Sequence, residues 1–438
     1  MCLFKVSTKR VLIVFFIVVL FFVIKLEARV PSASSKVYVK KRQLVVEKRL
    51  KNGLLNKPKP YIIKGTTWSP ATRAPHKGPH PFNPSKSVPY GFFFDWKDRD
   101  PQGHKVLGYW LRSQFKKYYL VDILLMKKMN INTVRVYDSL GNNPQEWKKI
   151  LDEFYRNNIM VILTVAASKD DIDSKKYIKL VKHCKDHPAI LMWSLGNEWN
   201  LDYNKYWGYK TISEAARATE KAARRIRHLD KDHPVSSCLG DRFIDRKPAN
   251  TIAWVVRNCP SVQIWGINVY RGKSFHNLFD VWQNTSYKPF YISEFGTDSF
   301  YTSKFKVVNR FQADNCEGKV DDRRRGKFLL ELWSEIENNL SALNPAKVCV
   351  GGLVHEFNDS LWKVGSYHLS LGGLVNYNDP REARSYATYN SEGFYLKGSH
   401  PDNVSNEEFY GVVDAKRRPK EVYWVLRKYY KKLEQLGE

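Results

Sequence analysis

Residues 190–200, ILMWSLGNEWN, run through mostly apolar positions and then present Gly196, Asn197, Glu198 and Trp199 in succession. An ionised carboxylate just past a buried strand is costly to desolvate unless it has a partner or a task. A second carboxylate, Glu294, ends another apolar run, PFYISEFG at 289–296. Two carboxyl groups over one opening are what cleavage of a glycosidic bond needs. One gives its proton to the leaving oxygen, and the other attacks or stabilises the anomeric carbon of an oxocarbenium-like transition state. Glu198 and Glu294 are the expected catalytic pair, and this chemistry calls for no metal and no cofactor.

The neighbouring residue types suit the same task. Arg135, in NTVRVYD, is placed to hold the charge of Glu294 through a charge-assisted hydrogen bond. Asn197 offers an amide to a sugar hydroxyl, and Tyr270 offers a phenol to the nucleophile. Trp199, Trp265 and the aromatics of 91–96 offer flat apolar faces to pyranose rings. Each also has an ordinary structural use: an Arg at a strand end forms ion pairs, a Tyr packs at a rim, and Trp265 in mid-strand suits a core. Asp138, Asp241 and Glu356 read as loop caps or supports. The glutamate pair together with Arg135 therefore carries more weight than any single residue.

What must position them is a frame that gathers strand ends. Apolar runs rich in β-branched residues recur at YIIKGTTW (61–68), NTVRVY (132–137), IMVILTVAA (159–167), AILMWSLGNE (189–198), VSSCLGD (235–241), VQIWGINVY (262–270), PFYISEFG and KVCVGGLVHEF (347–357), with helix-period segments between them. Strands apolar on both faces and joined by helical crossovers imply a parallel sheet, and eight such units close as a (β/α)8 TIM barrel, an α/β fold. An open doubly wound sheet is the rival, but no glycine-rich phosphate-binding fingerprint follows the first strand. The irregular stretches 69–115 and 360–412 follow the first and last strands, where loops of that length form the walls of a cleft.

The chain of 438 residues carries a net charge of +28, yet residues 1–60 hold fourteen Lys/Arg against Glu27 and Glu47. The rest of the charge spreads over helix surfaces such as KAARRIRHLDKDH, and no nucleic-acid motif appears, so no nucleic-acid partner is expected. Residues 1–26 contain the apolar run Val11–Ile24 flanked by basic residues, which reads as a signal peptide or a signal-anchor, with membrane anchoring through 11–24 and a secretory-pathway location. Residues 27–59 read as a basic stem or linker, with a short strand at KVYVK or QLVVE, and 60–438 as the catalytic domain. The sequons at Asn284, Asn339, Asn358 and Asn403 agree with that route, Asn403 being the best acceptor. Of the six cysteines, Cys2 precedes the apolar run and five follow it, an odd number; Cys238 and Cys349 read as small core residues.

ILMWSLGNEWN resembles the acid/base segment of retaining glycoside hydrolases of clan A, in particular the family-two β-galactosidase and β-glucuronidase barrels. FYISEFG resembles their nucleophile strand, NTVRVYD their arginine-bearing second strand, and GVVDAKRRPKEVYWVLRKYY their closing helix. The resemblance covers roughly 60–435. YIIKGTTWSP and GGLVHEFND also resemble fungal β-1,3-glucanosyltransferases. It implies Glu198 as acid/base, Glu294 as nucleophile, Asn197 as a ligand of the sugar 2-hydroxyl, and Arg135 and Tyr270 as partners of the nucleophile. The aromatic floor that such barrels commonly carry at the end of strand eight falls here on His355. The expectation is a retaining hydrolase acting on β-linked oligo- or polysaccharide. A transglycosylase, an inactive glycan-binding barrel and a basic polyanion-binding surface protein are the alternatives.

Overall fold

A computed structural model describes residues 30–72, 78–80, 83–88, 106–201, 203–204, 207–241, 248–309, 312–361, 386–389, 401–402 and 404–436. The expected signal or anchor segment, the aromatics of 91–96 and the sequon at Asn403 lie outside these residues. Among the described residues no helix is long and apolar enough to cross a membrane.

Eight strands close into a barrel in chain order: β1 (Ile63–Thr67), β2 (Thr133–Val136), β3 (Met160–Ala166), β4 (Ile190–Leu195), β5 (Val235–Gly240), β6 (Ile264–Val269), β7 (Phe290–Phe295) and β8 (Cys349–Val354). Every neighbouring pair is parallel, and β8 returns to β1 with Leu353 opposite Gly65. Glycine is required at Gly65, where a Cβ would sit 1.8 Å from the Thr133 carbonyl oxygen. The intervening helices are α1 (Val106–Lys128), α2 (Pro144–Arg156), α3 (Lys176–Cys184), α4 (Ile212–Leu229), α5 (Pro248–Asn258), α6 (Leu278–Thr285), α7 (Asp322–Asn338) and α8 (Glu421–Leu436). Short caps start them. Asn143, Thr211 and Asp321 accept from the backbone N–H groups of Glu146, Glu214 and Arg324, satisfying donors the first helical turn leaves over.

The strands read as apolar on both faces because each face has its own core. Val161, Leu163 and Trp265 point outward into the layer shared with the helices, while Met160, Ile162, Cys238, Ile264 and Tyr291 fill the lumen. The lumen is thus a packed core, and only its upper rim is left for chemistry.

Three features depart from the sequence expectation. The segment expected to be a stem contains the antiparallel strands Lys36–Lys40 and Gln43–Glu47, joined to Lys59–Pro60 in a three-stranded sheet. Val37, Leu44 and Val46 pack against the lumen core, and Val37 N–H donates to the Asp232 carbonyl at 2.7 Å, so the sheet covers the lower end of the barrel. The alternation that puts valines on one side puts Lys36 and Lys40 in solvent, and those lysines made the segment read as a linker. Second, the stretch expected to be irregular up to residue 115 is helical from Val106. Third, an antiparallel hairpin, Phe300–Asn309 with Gln312–Val320, is inserted between β7 and α7 and pairs with Tyr386–Tyr389. Its polar residues hid it from a search for apolar alternation.

Candidate active site

After Leu195 the chain turns through Gly196 (φ +71°) and Asn197 to Glu198, itself left-handed at φ +52°. A left-handed non-glycine residue costs about 1 kcal/mol or more, and such strain gathers at functional sites. Trp199 holds the turn: its ring is buried, its indole N–H donates to Ser237 Oγ at 2.9 Å, and a Cβ on Gly196 would meet it at 2.5 Å. Trp199 is therefore a wedge beneath the turn, which corrects the expectation that it offers a face to sugar. Trp265, also offered as a face to sugar, is likewise buried, in the core that its mid-strand position suggests.

Glu294 sits near the top of β7, 6% exposed, at the centre of a set of donors. Arg135 Nη1, from β2, reaches its Oε1 at 3.0 Å, and Tyr137 OH reaches the same oxygen at 2.6 Å. Tyr270 OH, beyond β6, donates to Oε2 at 3.0 Å, and His355 Nδ1 lies 3.7 Å from that oxygen. Arg135 is fully buried, which tends to lower its pKa; the potentially anionic groups around it, Cys238, Tyr137, Glu294 and Tyr291, outweigh that and raise it. Burial, and then the charge of Glu294, push the Tyr137 phenol well above its usual range, so it stays a donor. A carboxylate with three donors from the ends of two strands, β2 and β6, is fixed in position without having to reorganise during a reaction.

Asn268, on β6, joins the two carboxylates. Its Nδ2 donates to Glu198 Oε1 at 3.0 Å and to Asn197 Oδ1 at 3.1 Å, while its Oδ1 accepts from Arg135 Nη1 at 3.3 Å and from Ser293 Oγ at 2.7 Å. Arg135 Nη2 in turn donates to Asn197 Oδ1 at 2.7 Å. Glu198 and Glu294 thus share one rim, linked through one amide and one guanidinium. Glu198 meets a neutral donor in Asn268 and Glu294 meets a cation.

The structure brings Arg135, Asn197, Glu198, Tyr270, Glu294 and His355 together. His355 occupies the strand-eight position, its Nδ1 3.0 Å from Thr67 Oγ1 and 3.2 Å from Tyr137 OH, with its ring edge-on to Tyr137 at 6.4 Å between centroids. Asn197 points its oxygen at Arg135 and Asn268, so the amide that was to meet a sugar hydroxyl is held from below. Tyr137 and Asn268 were missed. Tyr137 stood in the quoted motif, and the available signal was its place two residues beyond Arg135, on the same face of an extended strand. Asn268 had a similar signal, a polar residue inside an otherwise apolar strand. Asp138 pairs with Arg112 at 2.7 Å and Asp241 with Arg271, the supporting uses expected of them. Among the described residues no group of three or more His, Cys, Asp or Glu is placed to hold a metal ion. Cys184, Cys238, Cys259 and Cys349 are buried free thiols. Asn358, one of the sequons, is buried with its Nδ2 on the Ala71 carbonyl.

Behind the rim, Arg325 donates to the carbonyls of Thr297, Gly411, Tyr410 and His355, tying the β7 and β8 loops together. Around it lie three buried carboxyl groups. Burial raises Asp298 and Glu408 well above the usual carboxylate range and takes Asp359 to about 6, despite its 2.6 Å ion pair with Lys420. A raised folded-state pKa means that the native state binds more protons than the unfolded chain, so this contribution is complete below the unfolded value of about 4 and is lost as pH rises through about 6. Buried His187, whose pKa burial lowers, works in the opposite sense. Replacing Asp359 by Asn should isolate the group. Between pH 4.5 and 7 the wild-type unfolding free energy, from urea titrations, should fall relative to the variant by about 2 kcal/mol. Parallel pH profiles for the two proteins would show that Asp359 is not protonated in this window.

Residues 157–312 match the family model described as "Glycosyl hydrolases family 2, TIM barrel domain". That stretch holds Asn197, Glu198, Tyr270 and Glu294. The barrel and this match, which covers less than half of the chain, agree with the clan A resemblance read from the sequence. Among solved structures, the chain is similar to β-D-glucuronidase of Dictyoglomus thermophilum, at 15% identity and TM-score 0.47, covering 91% of this chain and 54% of that one. It is similar to a calcium-binding mutant of Bacteroides uniformis β-glucuronidase 2, at 14% identity and TM-score 0.50, covering 91% and 37%. It is also similar to the family 1 β-glucosidase of Thermotoga maritima, at 13% identity and TM-score 0.45, covering 75% and 88%. At such identities the likeness is one of fold, and the chain spans about half or less of the glucuronidase chains. No curated protein matches. The resemblance to fungal glucanosyltransferases finds no support in these comparisons.

Proposed function

We propose that this protein is a retaining glycoside hydrolase of β-linked sugars. The observation that carries the reading is the pairing of Glu198 and Glu294 on one barrel rim through Asn268 and Arg135. In the first step a Glu294 carboxylate oxygen attacks the anomeric carbon as Glu198 delivers its proton to the departing glycosidic oxygen, leaving a glycosyl ester on Glu294 and a free alcohol. In the second, Glu198, now a carboxylate, takes a proton from water as that water displaces Glu294 from the anomeric carbon, and configuration is retained. Arg135, Tyr137 and Tyr270 orient Glu294 throughout, and His355 occupies the floor at strand eight. The substrate is an oligo- or polysaccharide, and residues 1–26 are part of the same reading as a signal or anchor of an exported enzyme.

A screen of aryl β-glycosides identifies the sugar. A 2-fluoro glycoside of that sugar, whose fluorine slows release of the glycosyl ester, should then inactivate the enzyme and leave one label, on the peptide that contains Glu294. Label on another residue, or steady turnover with inverted product and no label, would overturn the mechanism. Absence of turnover on every β-glycoside would favour the inactive glycan-binding alternative.

A further inference from the structure

Beside the rim lies a cleft of about 690 Å³ that runs over the ends of β2 and β3. Its size falls within the roughly 300–1,000 Å³ typical of small-molecule sites. Tyr137 lines it, and the same phenol donates to Glu294 at 2.6 Å, so the cleft begins one side chain away from the candidate nucleophile. Trp147, from α2, and Trp207, from the loop before α4, give it two half-buried aromatic side chains, and the indole N–H of Trp147 is anchored on the Gly141 carbonyl at 2.9 Å. Thr164, on β3, also lines it. This residue is 2% exposed and its hydroxyl oxygen has no protein partner. A buried hydroxyl left unpaired costs stability. Arg112 and Asp138, paired at 2.7 Å, add a charge-neutral set of donors and acceptors at the edge. Aromatic faces, an unpaired hydroxyl and a neutral polar edge, continuous with a bond-cleaving centre, match the two surfaces of a pyranose ring: its apolar C–H face and its ring of hydroxyls.

We propose that this cleft binds a further sugar unit, making a β-linked oligosaccharide the preferred substrate over a single glycoside; the inference rests on the glycosidase reading above. Thr164 donates to or accepts from a hydroxyl of that unit, and Trp207 lies against its ring. The cost of the unpaired threonine in the free protein is the trade of stability for binding that functional sites commonly show.

The test compares kcat/KM for an aryl glycoside of the identified sugar with that for the same aryl glycoside extended by one and two β-linked units, in wild type, Thr164→Val and Trp207→Ala. Wild type should prefer the extended substrates by roughly tenfold or more. Thr164→Val should lose roughly three- to tenfold on the extended substrates, the worth of one hydrogen bond, with no loss on the single glycoside. Its thermal midpoint should be equal to wild type or higher, which a merely structural threonine would not give. Trp207→Ala should show the same selective loss. Equal wild-type rates on short and extended substrates, or variants that lose equally on both, overturn the cleft assignment while leaving the glycosidase reading intact. If wild type turns over no glycoside of any length, both fall together.

Discussion

Glu294→Gln is expected to lose turnover by on the order of 10⁴-fold or more with every substrate, whatever its leaving group. The amide keeps the shape of the carboxylate, its oxygen can still accept from Arg135 and Tyr137, and its NH2 can donate to the Tyr270 hydroxyl oxygen, so the rim should keep its geometry. What it lacks is the negative charge that attacks the anomeric carbon. The same change leaves Arg135, fully buried, without its counter-charge. Breaking a buried pair from one side costs about 3–5 kcal/mol in typical cases. Here Arg135 keeps the Asn197, Asn268 and Ser293 oxygens as acceptors, which softens that loss. The decisive measurement is kcat alongside a thermal melt. A folded variant that binds oligosaccharide without cleaving it places the nucleophile at Glu294, whereas near wild-type kcat in a folded variant would remove it from the chemistry.

Glu198→Ala should behave differently, because an acid/base is needed only in proportion to how badly the leaving group needs a proton. With a sugar as leaving group, kcat/KM should fall by about 10²- to 10⁴-fold. With a strongly acidic phenol, formation of the glycosyl ester proceeds without protonation, and the ester accumulates because no base activates water. Azide, a small anion that needs no base, fits the space left by the carboxylate. Its addition should restore turnover and yield the β-glycosyl azide. Product in the α configuration, or rescue by azide in Glu294→Gln but not in Glu198→Ala, would exchange or abolish the two roles. The left-handed backbone at Glu198 gives the Ala variant a structural consequence as well. Alanine tolerates that conformation no better than glutamate, so its melting temperature tests how firmly Trp199 and Gly196 hold the turn.

Much of the site was legible because a parallel barrel converts sequence order into position. Once eight apolar runs are recognised, a polar residue at the end of any of them lies on one rim. Glu198, Glu294, Arg135, Tyr270 and His355 could therefore be gathered from strands as much as 220 positions apart, counting from Arg135 to His355. The rule places residues at the rim without saying which way each side chain faces. Trp199 and Asn197 are two positions apart in the chain, yet the turn at Gly196 sends the indole down to Ser237 and the amide toward Arg135. Asn268 escaped notice because a lone amide inside an apolar strand carries meaning only when its neighbours across the barrel are known.

The sequence by itself determined the strand–helix alternation, the class of fold and the two carboxylates worth testing, since apolar periodicity and the cost of burying charge are local properties of a chain. Tertiary structure alone decided the rest. The basic N-terminal segment becomes the floor of the barrel because an open lumen end offers apolar surface to a hairpin with one valine-rich face. Trp199 becomes support because the turn leaves its ring no path to the rim, and the cleft beside Tyr137 exists only where β2, β3 and the loop before α4 converge. Which side chain meets which across a closed barrel depends on strand register and turn direction, and neither is written in the spacing of residues along the chain.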